Sequence, residues 1–309
     1  MTYAPIVLFT YNRPWHTRQT IEALQKNELS INSELFVFSD GAKDDLSAKK
    51  VKEVREYLKT VNGFKKITII EREKNWGLAE NIIDGVTKIV NEYGKIIVLE
   101  DDLVTSPYFL RFMNEALEFY KDEKKVMSLS GYTYPFNLSK GYMYDVFCFY
   151  RTSSWGWASW KDRWESVDFD IKDYCVLLKD KVLQNKLRRG GNDLVEMLKM
   201  QMEGKISSWA VRFAYSAAKQ DRVCVYPIKS LIRNIGHDNS GIHCGKSDKW
   251  EVEVDNNFYP KNLLKELYVD KVINKALKPK FNINYFRRFL SKVKSNIKKV
   301  LCYVRKNSA

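Results

Sequence analysis

Three consecutive carboxylates, Glu100-Asp101-Asp102, are the residues whose types and spacing most directly suggest chemistry. They follow the apolar residues 96–99, which predict a strand buried on both faces. Like charges on one short turn repel each other, so we expect a cation among them. A divalent ion, Mg²⁺ or Mn²⁺, held by one or two carboxylates and by substrate phosphates, fits this donor set. The alternative is a solvated acidic turn before a helix that begins near Ser106-Pro107.

The elements that must position this turn alternate between strands and helices. Strands are predicted over residues 5–10, 35–38, 67–70 and 96–99, and helices over 51–58 and 78–93. This alternation predicts βαβ units and a parallel sheet, an α/β fold whose strand ends face the ligand crevice. We expect residues 1–125 to form one half of the protein and 126–260 a second, followed by a helical tail over 261–309.

Glycine-rich phosphate loops are absent from the sequence. Neither the Gly-x-Gly-x-x-Gly pattern of dinucleotide sites nor the Gly-x-x-x-x-Gly-Lys-Ser/Thr pattern of P-loops occurs. A phosphate bound without a glycine cradle requires a metal, which agrees with the acidic turn.

Cysteine usage and the N-terminus indicate the compartment. The five cysteines among 309 residues are widely spaced and odd in number, which argues against a disulfide framework and a structural zinc site. The first ten residues have no basic region and too short an apolar run for a signal peptide. We therefore expect a cytoplasmic protein.

The positive charge is concentrated at the C-terminus. Twelve Lys or Arg and no Asp or Glu follow residue 270, and subtracting these from the net charge of +14 leaves +2 for residues 1–270. A nearly neutral body argues against a nucleic-acid partner. Residues 285–304 show apolar positions at 3–4 spacing among basic ones, a pattern typical of a helix on an anionic membrane surface. A helix packed on the body and a solvated tail are the alternatives.

Four tryptophans lie within ten residues, at positions 155, 157, 160 and 164. Positions 157, 160 and 164 share a face at helical spacing, so one interpretation is a helix packed in the core. The other is a sugar-binding wall in which Trp155 and Trp157 contact an acceptor, because aromatic faces stack on sugar rings.

Several motifs in the same order resemble the nucleotide-sugar domain of GT-A glycosyltransferases, most closely the bacterial family-2-type enzymes and the related N-acetylglucosaminyltransferase I group. They are Phe9-Thr10-Tyr11-Asn12-Arg13-Pro14, Ser39-Asp40-Gly41, Asn75-Trp76-Gly77-Leu78 and Glu100-Asp101-Asp102. The resemblance implies a GT-A fold and a nucleoside-diphosphate sugar as donor. It places the donor-binding residues at Thr10, Asn12, Arg13, Asp40 and Asn75. It also implies that Glu100 faces the donor sugar, that Asp101 approaches the ribose or a metal-bound water, and that Asp102 binds the metal.

The second half of the chain holds further candidates. Residues 232–244 form a polar, glycine-bearing loop typical of lids that close over a nucleotide. In this loop we expect Arg233 to neutralise the diphosphate leaving group. His243 is a candidate metal ligand or phosphate contact, and a structural role is the alternative.

An inverting transfer also needs a carboxylate that deprotonates the acceptor hydroxyl. The resembling enzymes carry this acid in a Trp-Asp or Glu-Asp pair, but the matching place here is Ser208-Trp209-Ala210. Asp193 and Asp238 are the remaining candidates for the base, although an acid at a helix start is often a cap.

Together these features predict a Mg²⁺- or Mn²⁺-dependent hexosyltransferase, inverting in mechanism, peripheral on the inner face of the cell membrane. Its acceptor would be a saccharide, lipid-linked, in surface polysaccharide or glycan assembly. The alternatives are a nucleotidyltransferase, which would need a glycine- and lysine-rich loop, and a membrane-bound carbohydrate-binding protein that has lost catalysis.

Overall fold

The computed structural model describes residues 2–138, 140–238 and 249–283. Its strands are β1 Ile6–Thr10, β2 Glu34–Ser39, β3 Lys66–Glu71, β4 Lys95–Glu100, β5 Leu103–Thr105, β6 Val126–Ser130, β7 Val146–Phe149, β8 Trp157–Trp160, β9 Val223–Pro227 and β10 Ile232–Asn234. Its α-helices are α1 Pro14–Gln25, α2 Asp45–Leu58, α3 Leu78–Tyr93, α4 Phe109–Phe119, α5 Lys161–Glu165, α6 Tyr174–Lys179, α7 Lys181–Arg188, α8 Asp193–Met202, α9 Trp209–Lys219 and α10 Lys271–Leu277.

Local sequence signals explain the helix boundaries in the first half. Pro14 occupies the first turn of α1, where a missing N–H costs nothing. Asp44 caps α2 by accepting a hydrogen bond from the backbone of Ser47, whose side chain completes a capping box. Gly94 ends α3 in the left-handed conformation, with a φ of 75°, which glycine adopts without strain.

Among the described residues, eight strands form one mainly parallel sheet in the order β3-β2-β1-β4-β8-β6-β9-β7. The pairs β1–β2, β1–β4 and β2–β3 are parallel, as the alternating pattern predicts. Thr10 pairs with Ser39, and Phe9 pairs with Glu100, so the polar ends of three strands lie at the same edge. The predicted α/β fold class is confirmed.

β8 differs from the helix that one interpretation of the tryptophan segment predicted. Trp157 to Trp160 form a strand, antiparallel to β4 and β6, where a helix was one expectation. Gly156, with a φ of 61°, turns the chain sharply before the strand. An extended segment here supplies the hydrogen-bonding partners that both β4 and β6 need. Because β8 joins strands of residues 1–125 and 126–260, those two predicted halves share one sheet, and the boundary between them stays a prediction.

Helices cover both faces of the sheet. On one face, α1, α2 and α4 bury apolar side chains such as Leu24 and Met113 against the strands. On the other face, α3 and α9 pack around Trp157, which stacks on Trp164 and Trp209 with ring centroids 5.7 and 5.0 Å apart. Trp157 is 1% exposed. A sugar contact through Trp157 is therefore corrected to a core role, because its ring is enclosed by other aromatic rings.

Two further features concern the expected membrane contact. No helix within the described ranges is both long enough and apolar enough to cross a bilayer. The basic segment 285–304, predicted as an amphipathic helix, lies outside the described residues. Before it, α10 is followed by a 3₁₀ turn, Lys278–Phe281, whose Phe281 is buried.

Candidate functional site

The carboxylate turn lies at the end of β4, against the loop that follows β1. Arg13, the residue before α1, forms an ion pair with Asp101. Its second terminal nitrogen, Nη1, lies 3.1 Å from Oδ2 of Asp102. Asp101 and Asp102 are 4% and 8% exposed, so the pairing is largely shielded from water. The resemblance predicted that Arg13 binds the donor. The structure places its guanidinium between the carboxylates of Asp101 and Asp102.

The electrostatics of this turn are set by burial and by one arginine. Burial and then Asp102 raise the pKa of Glu100 to about 8, against the lowering effect of Arg13. Burial also raises the pKa of Asp101, although Arg13 opposes the shift. Burial alone would lower the pKa of Arg13, but the two aspartates raise it above its ordinary value. The turn therefore favours additional positive charge.

The segment after β10 covers the turn. β10 pairs antiparallel with β5, which directly follows the acids. The backbone N–H of Ile235 donates to the carbonyl of Asp102 at 2.9 Å. A Cβ added at Gly236 would overlap the Asp102 carboxylate, so the close approach requires glycine. Asp238, a candidate base, lies two residues further on and pairs with His16 at 3.1 Å.

Asp40 organises a second loop at the same edge of the sheet. It accepts backbone hydrogen bonds from Trp76 at 2.8 Å and Gly77 at 3.0 Å. The side-chain amide of Asn75 donates to Asp40 at 3.1 Å and to the carbonyl of Gly41 at 2.9 Å. These contacts fix the start of α3. Two of the predicted donor-binding residues, Asp40 and Asn75, are therefore neighbours that hold each other in place.

The remaining donor-side candidates differ in their surroundings. Thr10, at the end of β1, has a buried hydroxyl with no hydrogen-bond partner in the described part of the chain. Asn12 is half-buried in the loop before Arg13. Arg233 is exposed and pairs with Glu251 at 2.9 Å. His243 lies outside the described residues.

The donor set at the turn fits a divalent ion held partly by its substrate. Across residues 2–138, 140–238 and 249–283, no group of three or more His, Cys, Asp or Glu side chains is arranged to hold a metal ion. Glu100, whose pKa is raised to about 8, lies beside two more acids, and a cation would reduce the repulsion among the three carboxyl groups. Mg²⁺ and Mn²⁺ sites of this kind use one or two carboxylates and complete the shell with phosphate oxygens and water.

Trp155 and Asp193 line a separate cavity of about 360 Å³. Trp155 contacts His237 edge to face, with ring centroids 5.3 Å apart. Asp193 begins α8, and its two oxygens accept hydrogen bonds from Arg151 at 2.9 and 3.0 Å. Both carboxylate oxygens are thus held by a guanidinium, an arrangement that orients the side chain and ties it into an ion pair.

Sequence reasoning missed several residues of this region. His237 lies in the predicted lid, next to Gly236, and its two ring nitrogens are shielded from water without a partner in the described ranges. Its position beside a glycine in a polar loop was the available signal. Arg151, Trp250 and Phe281 carry no local signal, because they meet Asp193 only through the fold.

Comparisons with known proteins add a family and several distant structures. Residues 6–158, just under half of the chain, match the family described as Glycosyl transferase family 2. No curated protein sequence matches the chain.

Among solved structures, residues 1–349 of S. aureus TarS are 12% identical, with a TM-score of 0.40, and the match covers 74% of this chain and 59% of that one. The mannosyltransferase PcManGT from Pyrobaculum calidifontis, in complex with GDP-Man and Mn²⁺, is 14% identical, with a TM-score of 0.30 and coverage of 43% and 37%. The chain spans less than two thirds of the length of each of these structures.

Proposed function

We propose that this protein is a family 2 glycosyltransferase that moves a sugar from a nucleoside-diphosphate donor to a saccharide acceptor. The observation that carries the proposal is the carboxylate turn Glu100-Asp101-Asp102 at the end of β4, in which Asp101 and Asp102 are buried. It lies inside the segment that matches the family. The parallel strands β1, β2 and β4 end at the same edge, where a nucleotide would lie.

The proposed cofactor is Mg²⁺ or Mn²⁺, with Asp102 as its protein ligand. When bound, the ion would neutralise negative charge that develops on the diphosphate as the sugar leaves. Glu100 and Asp101 would complete the negative surroundings, and Arg13 would hold Asp101 and Asp102 in place. Thr10, Asn12, Asp40 and Asn75 remain the proposed contacts to the nucleoside.

The segment after β10 would exclude water from the reacting groups. Gly236 lets the backbone lie directly on Asp102, and the hydrogen bond from Ile235 holds it there. For an inverting reaction we favour Asp238 over Asp193 as the base. Asp238 lies two residues from Gly236 and pairs through Oδ2 with the His16 imidazole, whereas both oxygens of Asp193 are held by the guanidinium of Arg151. Arg233 is exposed, and its guanidinium could contact a diphosphate once its ion pair with Glu251 is broken.

We also propose that the acceptor is presented at a membrane. The support is the basic, amphipathic pattern of residues 285–304, which is typical of attachment to an anionic leaflet on the cytoplasmic side. Pathways that build surface polysaccharides or glycans on lipid carriers use acceptors of this kind.

A panel assay tests the proposal. The protein is incubated with Mn²⁺ and a set of uridine, guanosine, thymidine and cytidine diphosphate sugars, and release of nucleoside diphosphate is measured. We expect slow hydrolysis of one donor, accelerated by a saccharide acceptor. Calorimetric binding without any release would instead favour a carbohydrate-binding protein, a second candidate supported by Ser208-Trp209-Ala210, where the expected acid is missing. If no donor is bound and none releases nucleoside diphosphate, both candidate functions are contradicted.

A further inference from the structure

Helices α6 and α7 expose a cluster of apolar side chains that the proposed reaction does not use. Their inner sides pack against α9, with Leu177 and Leu183 buried. On the outer side, Val176 and Leu178 are each 56% exposed and Val182 is 68% exposed. We call the exposed side chains of residues 175–182 the α6–α7 corner: Cys175, Val176, Leu178, Lys179, Lys181 and Val182.

The corner differs from the other exposed surfaces of the described residues. Three of the twelve large apolar side chains that are exposed in this part of the chain lie within residues 176–182. Single exposed apolar side chains are common on soluble proteins, whereas a cluster of them indicates a contact surface. With about 100° of rotation per residue, Val176 and Leu178 flank the ridge formed by Cys175 and Lys179. The outward side of α6 therefore combines apolar and basic groups.

The charge of these two helices is positive. Residues 174–189 contain five Lys or Arg and one acid, Asp180. Asp221, from outside the two helices, pairs with Lys186 and Arg189. Subtracting both acids from the five basic residues leaves a charge of +3, which favours an anionic partner.

Two of the basic residues lie directly beside the apolar side chains. Lys179 and Lys181 are exposed, and neither forms an ion pair with a carboxylate of the described ranges. Asp180, between them, caps α7, because its side chain accepts hydrogen bonds from the backbone of Val182 and Leu183. Both ammonium groups are therefore available to a partner.

The tail leaves the described body at the other end of α7. The side chain of Asn282 accepts a hydrogen bond at 3.1 Å from the backbone of Asn192, in the turn that follows α7. The backbone N–H of Ile283 donates in turn to the side chain of Asn192. Since α7 has eight residues and is about 12 Å long, the corner lies roughly one short helix away from the start of the basic segment 285–304.

Charge decides which partner covers the corner. The sequence after residue 283 contains eight Lys or Arg and no acid, so the corner would repel it. A second copy of the chain would bring the same lysines face to face in a symmetric contact. A leaflet rich in anionic lipids attracts the lysines and accepts aliphatic side chains at the boundary between headgroups and acyl chains.

We propose that the α6–α7 corner docks on an anionic membrane surface and, together with the tail, fixes the orientation of the body on that surface. Val176, Leu178 and Val182 enter the headgroup boundary, and Lys179 and Lys181 contact the anionic groups of the lipids. The tail carries more basic residues and supplies most of the attraction, and the corner adds a second contact. This inference rests on the proposed presentation of the acceptor at a membrane and assigns a part of the described body to that contact.

Vesicle binding by the full chain tests the charged part of the corner. Apparent affinity for phosphatidylserine vesicles is measured for Lys179→Gln/Lys181→Gln and for the control Lys49→Gln/Lys50→Gln. The control removes the same charge from exposed positions of α2, which packs on the opposite face of the sheet from α9. We expect the corner variant to bind about tenfold more weakly than the native protein and the control to stay within about twofold of it.

A second pair of variants tests the apolar part. Leu178→Gln should weaken vesicle binding severalfold, because the headgroup boundary no longer receives an aliphatic side chain. Leu46→Gln, at a position 87% exposed near the start of α2, is the matched control and should bind as the native protein does.

Other results would overturn the inference. Equal weakening by the two lysine pairs would mean that net charge alone matters. A melting temperature that Leu178→Gln lowers and Leu46→Gln does not would assign the corner to a contact with the chain's own tail. Dimerisation that Leu178→Gln abolishes, measured by sedimentation without vesicles, would assign it to a second copy. If the full chain binds no vesicles, corner and tail both fail as membrane contacts, whereas the donor panel contains no lipid and tests the glycosyltransferase separately.

Discussion

Nη1 of Arg13 lies 3.1 Å from Oδ2 of Asp102, and Arg13 also pairs with the neighbouring Asp101, which is 88 residues away along the chain. The guanidinium thus neutralises part of the negative charge of the acidic turn before any ligand arrives. This arrangement explains how two consecutive aspartates, Asp101 and Asp102, can be buried directly after one strand. It also makes the turn sensitive to the loss of a single positive charge.

Replacing Arg13 with methionine should destabilise the metal-free protein. The change leaves two buried carboxylates without their cation, which typically costs about 3–5 kcal/mol of unfolding free energy. Added Mn²⁺ should raise the melting temperature more in Arg13→Met than in the native protein, because the ion replaces the missing charge. Arg18→Met, which changes an exposed arginine of α1, is the matched control. Thermal unfolding of Arg13→Met that is indistinguishable from that of the control would contradict this role.

Trp157→Ala should lower stability far more than it weakens substrate binding. Trp157 is enclosed by Trp164, Trp209 and Phe213, and truncation of such a core aromatic costs about 3–5 kcal/mol. Trp15→Ala, at a position 58% exposed, should cost about 0.5 kcal/mol or less. Chemical denaturation measures both. A raised KM for the acceptor with unchanged stability would restore the sugar-contact interpretation of Trp157.

The stability of the metal-free protein should fall as the pH rises from about 5 to 8. Burial and Asp102 raise the pKa of Glu100 to about 8, above its ordinary value of 4.5. Its contribution is therefore complete below pH 4.5 and is lost as the pH rises through 8, because the unfolded chain ionises first. Melting temperatures across this range should drop less in Glu100→Gln, which cannot ionise. Parallel curves for the two proteins would mean that Glu100 titrates normally.

Truncation after Ile283 should release the protein from membranes while leaving the body folded. The cut keeps Phe281 against Trp250 and removes the basic residues that follow. Each Lys or Arg near an anionic leaflet contributes about 1 kcal/mol, so flotation with phosphatidylserine vesicles should be lost. High salt should partly reproduce the effect on the full chain, since it screens that attraction. If the full chain does not float with these vesicles, the tail is not a membrane anchor.

Much of the fold follows from local sequence patterns. The predicted strands at residues 5–10, 35–38 and 67–70 each occur within one or two residues of β1, β2 and β3, because buried parallel strands read as apolar runs with polar ends. The helix predicted over 78–93 coincides with α3. The acidic turn was predictable for the same reason, since it follows another apolar run, residues 96–99.

The parts that local patterns did not predict depend on distant contacts. Trp157, Trp160 and Trp164 share helical spacing, yet the first two lie in a strand because this segment pairs with β4 and β6. That pairing joins segments distant in sequence, so local sequence patterns do not predict it. Likewise, Arg151 meets Asp193 across 42 residues and Phe281 across 130, so the cavity they line has no linear signature. Spacing along the chain therefore predicts the polar residues that meet at the ends of β1, β2 and β4 far better than those that line the cavity.

The most direct test of the account is the metal dependence of donor turnover at Asp102. Release of nucleoside diphosphate is measured for the native protein, for Asp102→Asn and for the exposed control Asp122→Asn, each with Mn²⁺ and with excess chelator. We predict that Asp102→Asn, although folded, loses about 10²-fold or more of the activity, that chelator abolishes activity in the native protein, and that Asp122→Asn behaves as the native protein does. Full activity in chelator, or native turnover in Asp102→Asn, would contradict the assignment of the carboxylate turn as the metal-dependent donor site.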